Sequence, residues 1–234
     1  MILETKDLQS GYDGSVVLSG ITLSVDQGEV VGVLGRNGMG KTTLMRTLVG
    51  QVPASAGEIH FDGHRINRKK PYEIARLGMA YVPQGREIFA GFTVWENLKM
   101  GALGQGRPRP DFAATMLALF PILAERRHQI AGTMSGGQQQ QLAIARALVA
   151  QPKLLLLDEP SEGVQPSIVN DIADTLAKYA RDQGLTVIIV EQNVDMVMRM
   201  ADRCLFMENG MIAAKHPVAD LRGDESLVHR YIAV

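Results

Sequence analysis

One stretch constrains this chain more than any other: Gly35-Arg36-Asn37-Gly38-Met39-Gly40-Lys41-Thr42-Thr43. It follows the apolar run Val30-Val31-Gly32-Val33-Leu34 and precedes a helical pattern with Leu44 and Leu48 one turn apart. The spacing is that of G-x-x-x-x-G-K-[ST] in the context it requires: buried strand, tight loop, helix N-terminus. Gly35, Gly38 and Gly40 let the backbone curl so that successive N–H groups point inward, where a Cβ would obstruct an approaching phosphate. The helix starting near Lys41 adds its free N–H groups and dipole to the same anion. Lys41 supplies a mobile positive charge for terminal phosphates, and the Thr42 hydroxyl suits a Mg²⁺ position.

At 234 residues the chain has room for one large α/β domain or two small ones. A formal net charge of −1 gives no electrostatic case for nucleic acid or an anionic membrane. Met1-Ile2-Leu3-Glu4-Thr5-Lys6-Asp7 is charged too early for a signal peptide, and no apolar run approaches the roughly 20 residues of a membrane span. The single cysteine, Cys204, reads as a small core residue in a cytoplasmic protein, and the five histidines are scattered.

Within Leu3 to Val25, periodicity predicts antiparallel strands over Thr5–Tyr12 and Ser15–Val25 about an Asp13-Gly14 turn, then a short strand over Glu58–Phe61. A helix is expected over Pro71–Leu77 and a strand over Met79–Val82. From Gly85 to about Gln151 strand runs give way to helical periodicity, clearest at Phe112–Phe120 and Gln138–Val149, broken by a loop over Gly104–Pro110. Buried strands at Lys153–Leu157 and Thr186–Val190 then flank a helix at Ile168–Tyr179. A helix at Val194–Met200, a hairpin about Glu208-Asn209-Gly210 and a terminal helix at Leu221–Tyr231 complete the pattern.

Asp158 and Glu159 end the run Leu154–Leu157, where ligands bind at the C-terminal ends of parallel strands. Asp158 is placed to hold Mg²⁺ and Glu159 to orient or deprotonate an attacking water. Ser135-Gly136-Gly137-Gln138 opens a second helix with an N-cap and uncovered N–H groups, a second anion site.

The full run Ser135-Gly136-Gly137-Gln138-Gln139-Gln140-Gln141-Leu142-Ala143-Ile144-Ala145-Arg146-Ala147-Leu148 resembles the signature of ATP-binding cassette ATPases. The resemblance covers essentially the whole chain. It implies a phosphate-loop (P-loop) NTPase α/β core with an N-terminal antiparallel β subdomain and an inserted helical lobe. The core would span about 1–85 and 152–234, the lobe about 86–151. ATP and Mg²⁺ are the implied cofactors. Tyr12 then matches the aromatic that stacks on adenine, and Gln84 the glutamine that reaches Mg²⁺ and water while hinging the lobe. Thr93-Val94-Trp95-Glu96-Asn97-Leu98 matches the lobe segment after the hinge. Catalysis is expected from Glu159, Gln84 and Gln192, with Thr42, Gln84 and Asp158 at the metal.

Two positions depart from the family pattern. Gln192 stands where histidine is usual, retaining a donor but no charge, and Gln165 stands where aspartate is usual. Val190-Glu191-Gln192-Asn193 and a short C-terminus resemble the smaller of two ATPases in importers of hydrophobic amino acids and amides. Pro83-Gln84-Gly85-Arg86-Glu87-Ile88-Phe89, Gln138 to Gln141 and Glu162-Gly163-Val164-Gln165-Pro166 are most similar to the urea and short-chain amide branch. The branched-chain amino acid branch, where glutamate is common at the Gln84 position, is the alternative. The implied partners are transmembrane permease subunits, a sibling ATPase in a head-to-tail dimer and, indirectly, a solute-binding protein, at the cytoplasmic face of the membrane. Aromatics among charges from Arg86 to Trp95 suggest a groove for a permease helix. A soluble cassette protein acting on ribosomes or DNA, and a binding module without turnover, are the competing classes.

Overall fold

The computed structural model describes residues 1–103, 111, 113–223 and 227. The chain opens with a hairpin of β1 (Leu3–Tyr12) and β2 (Ser15–Val25). Asp13 and Gly14 turn it at φ 49° and 82°, the twist that two-residue Asp-Gly hairpins supply. β3 (Val30–Leu34), buried at all five residues, leads through the glycine loop into α1 (Lys41–Leu48). β4 (Ala54–Phe61) and β5 (His64–Arg65) return to the hairpin, completing an antiparallel sheet ordered β2-β1-β4-β5. β4 starts four residues before the expected strand. Ala54-Ser55-Ala56-Gly57 has weak strand preference, but pairing of Ala54 with Ser10 and Ala56 with Gln9 recruits it.

α2 (Pro71–Leu77) and β6 (Met79–Val82) follow as expected. The helical lobe contains α3 (Val94–Leu103), α4 (Ala114–Leu119), α5 (Pro121–Glu125), a 3-10 turn at Ala131–Thr133, and α6 (Gly136–Leu148). The expected Gly104–Pro110 loop and Phe112 lie outside the described residues. β7 (Leu154–Asp158) returns to the core, followed by α7 (Pro166–Gln183), β8 (Thr186–Glu191), α8 (Val194–Met200) and β9 (Arg203–Glu208). α7 outruns the expected helix at both ends: Pro166 starts it, where no N–H is needed, and Gly184 stops it at φ 64°. β10 (Met211–Pro217) and α9 (Val218–Gly223) complete the described elements; most of the expected Leu221–Tyr231 helix lies outside them.

The second sheet is ordered β10-β9-β3-β8-β7-β6, parallel from β9 to β6 with β10 as an antiparallel edge. Its central strands bury side chains on both faces, which is why they read as unbroken apolar runs. Leu155, Leu157, Val187 and Ile189 pack toward the layer of α6, α7 and α8. Leu154, Leu156, Ile188 and Val190 pack toward α1, whose Leu44, Met45 and Leu48 join the core beneath the antiparallel sheet. Cys204 is fully buried, and burial pushes its thiol up to about 12. Among the described residues no helix is long and apolar enough to cross a membrane. The functional consequence is geometric: the glycine loop, Asp158 and Gln192 all lie at the C-terminal ends of adjacent parallel strands, β3, β7 and β8.

Candidate active site

Gly40 sits at φ 97° immediately before α1, a conformation in which L side chains are strained, so glycine there aims Lys41 into the loop. The Lys41 side chain is 3% exposed. Its Nζ donates to the Gly35 and Arg36 carbonyls at 2.8 and 3.1 Å and pairs with Glu159 Oε1 at 3.2 Å. One residue on, Thr42 Oγ1 donates to Asp158 Oδ1 at 3.1 Å. Tyr81 Oη donates to the other oxygen, Asp158 Oδ2, at 2.9 Å. Burial raises the Asp158 pKa, while the bonds from Tyr81 and Thr42 work to lower it.

Glu159 is the hub. Besides Lys41, Gln84 Nε2 donates to its Oε2 at 3.5 Å and Gln192 Nε2 to its Oε1 at 3.4 Å. Both amides have a closer partner. Gln84 reaches Glu162 Oε2 at 3.0 Å and Gln192 reaches Asn37 Oδ1 at 2.6 Å. Glu159 itself takes φ 46°, a conformation uncommon for a residue with a Cβ, and its N–H donates to Val190 O at 2.9 Å. These groups surround a cavity of about 240 Å³ lined by Asn37, Gly38, Gly40, Lys41, Thr42, Thr43, Gln84 and Glu159 together with Val17. Met39 faces the β9–β10 hairpin, its carbonyl accepting from Gly210 N–H at 3.2 Å.

Gly35, Arg36, Asp158 and Gln192 reach this lining through hydrogen bonds to Lys41, Thr42, Asn37 and Glu159, whereas Met39, Tyr12 and the Ser135 motif are not part of it. Tyr12 ends β1 with 41% exposure, so it is not a buried strand-end tyrosine. Ser135, Gly136, Gly137 and Gln138 form the N-terminus of α6, away from the cavity lining. There Ser135 Oγ accepts from Gln138 N–H at 3.4 Å and Gln138 Oε1 accepts from Ser135 N–H at 3.1 Å, a reciprocal cap. Gly137 lies so close to α7 that a Cβ would fall 2.7 Å from Ile168 Cδ1.

Several contributors escaped sequence reasoning. Tyr81 and Glu162 are two. Glu191 is a third: 1% exposed, it accepts N–H bonds from Ser161, Gln192 and Asn193 at 2.7, 3.0 and 3.1 Å. Burial raises its pKa and these bonds oppose that. A carboxylate finishing a wholly buried strand was the available signal. Arg46, on α1, has its pKa raised further, first by the Tyr12 hydroxyl and in smaller part by that of Tyr81.

A second cavity, about 540 Å³, opens between α2, β6, α3 and α6, and its lining includes Ile74, Tyr81, Glu87, Phe89, Met100 and Ala147. Arg146 closes one side, donating to Glu87 O at 2.7 Å with its guanidinium 5.0 Å from the Phe89 ring centre. The Arg86-to-Trp95 cluster divides here. Glu87 and Phe89 line the groove, and Phe92 stacks on Phe89 at 5.4 Å. Arg86 turns to the Glu162 and Gly163 carbonyls at 3.1 and 3.3 Å, and Trp95 lies beneath Arg127 at 3.6 Å.

A phosphate loop, paired strand-end carboxylates and a helical lobe set into a parallel sheet define a P-loop ATPase core of the cassette type. The family model described as ABC transporter matches residues 18–162. A high-affinity branched-chain amino acid transport ATP-binding protein (BraG) of Pseudomonas aeruginosa is 44% identical over 210 residues, spanning 88% of this chain and 89% of its own. A probable branched-chain amino acid transport ATP-binding protein (LivF) of Archaeoglobus fulgidus is 34% identical over 213 residues, spanning 91% and 90%. Among solved structures, a nucleotide-free ATP-binding cassette from an ABC transporter superposes with TM-score 0.85 at 29% identity, covering 99% of this chain and 98% of that one. The chain belongs to the ABC transporter family and is an ATP-hydrolysing ATPase of it.

Proposed function

We propose that this chain is the ATPase subunit that energises an importer of branched-chain amino acids. It would act at the cytoplasmic face of the membrane with permease subunits and a second cassette, and indirectly with a solute-binding protein. The convergence of Lys41, Gln84 and Gln192 on Glu159, beside the Thr42–Asp158 pair, carries the catalytic part of this reading. The solute assignment rests on BraG and LivF, whose names specify branched-chain amino acid transport. They favour that branch over the urea and amide branch that Gln84 and the glutamine run suggested.

The geometry supports a sequence of exchanges. In the structure Lys41 neutralises Glu159. A nucleotide phosphate entering the loop competes for the Lys41 ammonium and releases the carboxylate of Glu159, which then takes a proton from the attacking water. Gln192 and Gln84, already within reach of Glu159, shift their amide donors between carboxylate, water and phosphate. Thr42 and Asp158 present hard oxygen ligands side by side, a donor set that fits Mg²⁺. Those two residues and Gln84 would hold the ion, which when bound neutralises charge on the phosphate oxygens. Tyr12 would stack on the adenine. The groove lined by Glu87, Phe89 and Met100 is the proposed seat of a short permease helix.

The test is reconstitution with the permeases, second cassette and solute-binding protein of a branched-chain amino acid importer. ATP-driven uptake of leucine or isoleucine, abolished by Glu159→Gln, is expected. Uptake of urea or acetamide in preference to leucine would overturn the solute assignment, and uptake indifferent to Glu159→Gln would overturn the catalytic one.

A further inference from the structure

Tyr81 lines the groove and is linked to the phosphate-loop cavity through Asp158, which accepts from both Tyr81 and the cavity-lining Thr42. β6 runs parallel beside β7 with Tyr81 opposite Leu156, which puts the phenol within reach of Asp158 at the C-terminal end of β7. Its hydroxyl donates to Asp158 Oδ2 at 2.9 Å while Thr42 donates to Oδ1 at 3.1 Å. The carboxylate is thus held at both oxygens and, at 1% exposure, has little water to replace either donor. The same tyrosine also lines the groove beside Glu87, Phe89 and Ala147.

We propose that Tyr81 is the positioning residue of the Asp158 carboxylate and the side chain through which occupation of the groove is felt there. The inference rests on the roles proposed above for Asp158 and for the groove. Its physical content is a lever. A body entering the groove meets the aromatic ring, while the hydroxyl at the other end sets the rotation of a charged acceptor, where a hydrogen bond is stronger than between neutral groups. Moving the ring lengthens that bond and frees Asp158 Oδ2 to turn. Because coupling between sites is reciprocal, a divalent cation bound at Asp158 also favours one ring position in the groove.

Tyr81→Phe removes only the hydroxyl. The readout is binding of a fluorescent ATP analogue to the isolated chain, with Mg²⁺ and with EDTA. The affinity in EDTA should stay within about twofold, while the tightening produced by Mg²⁺ should shrink roughly tenfold, the size expected for one hydrogen bond to a charged group. A purely structural tyrosine would lower the melting temperature and leave that ratio unchanged; an unchanged ratio overturns the positioning role. Lys41→Ala serves as the independent control. If it binds the analogue as the unaltered chain does, the nucleotide site has been misplaced, whatever Tyr81 does.

The groove half is tested by Ala147→Trp, which fills the cavity beside the ring. It should change the Mg²⁺ ratio severalfold with Tyr81 present and less than about twofold in Tyr81→Phe, since neighbours sharing a contact are non-additive. Equal changes in both backgrounds, or none with Tyr81 present, overturn the coupling. Should Ala147→Trp fail to fold, Met100→Trp on the exposed groove rim takes its place.

Discussion

Lys41 holds its charge where almost no water reaches it, and its partners are two carbonyls and the carboxylate of Glu159. That arrangement separates two substitutions that would otherwise look alike. Lys41→Ala removes the cation that meets the phosphates in the ground state and should abolish nucleotide binding. Glu159→Gln keeps an oxygen acceptor for Lys41 and should bind normally, while hydrolysis falls about 10²- to 10⁴-fold, the range for losing a general base. Binding titration beside single-turnover hydrolysis distinguishes them. Hydrolysis by Glu159→Gln at the unaltered rate would mean that the proton goes elsewhere. Gln192 poses a subtler question because its amide is engaged with Asn37 and Glu159 rather than idle. It can donate to a phosphate oxygen without carrying charge, so Gln192→His should raise turnover on the order of tenfold below neutral pH, where imidazole is protonated. Gln192→Ala should lower it. A turnover rate unmoved by Gln192→Ala would reduce the side chain to a cap on β8.

At the scale of elements, Arg203 at the start of β9 ties the strand to the entry of β3 and the end of β2. Its Nη2 donates to Glu29 Oε2 at 3.1 Å and also reaches the Ser24 carbonyl. Burial alone would raise the Glu29 carboxyl, but Arg203 and the Asp26 N–H outweigh it and hold its pKa below the ordinary 4.5. A depressed carboxyl contributes stability that is present above the unfolded value and lost as pH falls through the folded one. Glu29→Gln should therefore cost about 1–3 kcal/mol at pH 7 and less at an acid pH below the ordinary carboxylate range, read from urea unfolding at both. An equal cost at both pH values would rule out the ionised pair as its source. Neither this tie nor the Tyr81–Asp158 bond was legible in the sequence, because each joins residues far apart in the chain, 77 positions in the second case. The phosphate loop, the Asp158-Glu159 strand end and the Ser135 cap were legible because each is a local pattern whose turn or cap chemistry fixes its own geometry. The longer β4 was not: its first four residues are strand by virtue of their partners on β1.

In the whole molecule, the phosphate loop lines the cavity and the Ser135 cap does not, although the sequence reads both as anion sites. In the head-to-tail dimer that the family resemblance implies, the Ser135 cap of one chain would meet the phosphate loop of the other. Glu159→Gln with ATP and Mg²⁺ should accordingly sediment as a dimer, alone or with the sibling cassette, and Ser135→Arg should return it to monomer. Monomer under every one of these conditions would dismiss that assembly. If the sibling carries histidine at the position of Gln192, the site built on this chain's Lys41 should be the slower of the two. Disabling the sibling's catalytic glutamate should then cost more turnover than Glu159→Gln here.

The burial of Cys204 has a practical corollary for watching such an assembly form. With burial pushing its thiol up to about 12, very little of it is ionised near neutral pH. The sulfur is also shut inside the parallel sheet, so the folded chain should leave maleimides unreacted while the urea-unfolded chain consumes one equivalent. The native sequence is therefore its own silent background for spectroscopy. Cysteines placed together at Ser135, the N-cap of α6, and at Val17, beside the phosphate loop, would alone take a pair of fluorophores or spin labels. Distances between lobes could then be followed through a turnover cycle without first deleting anything from the protein.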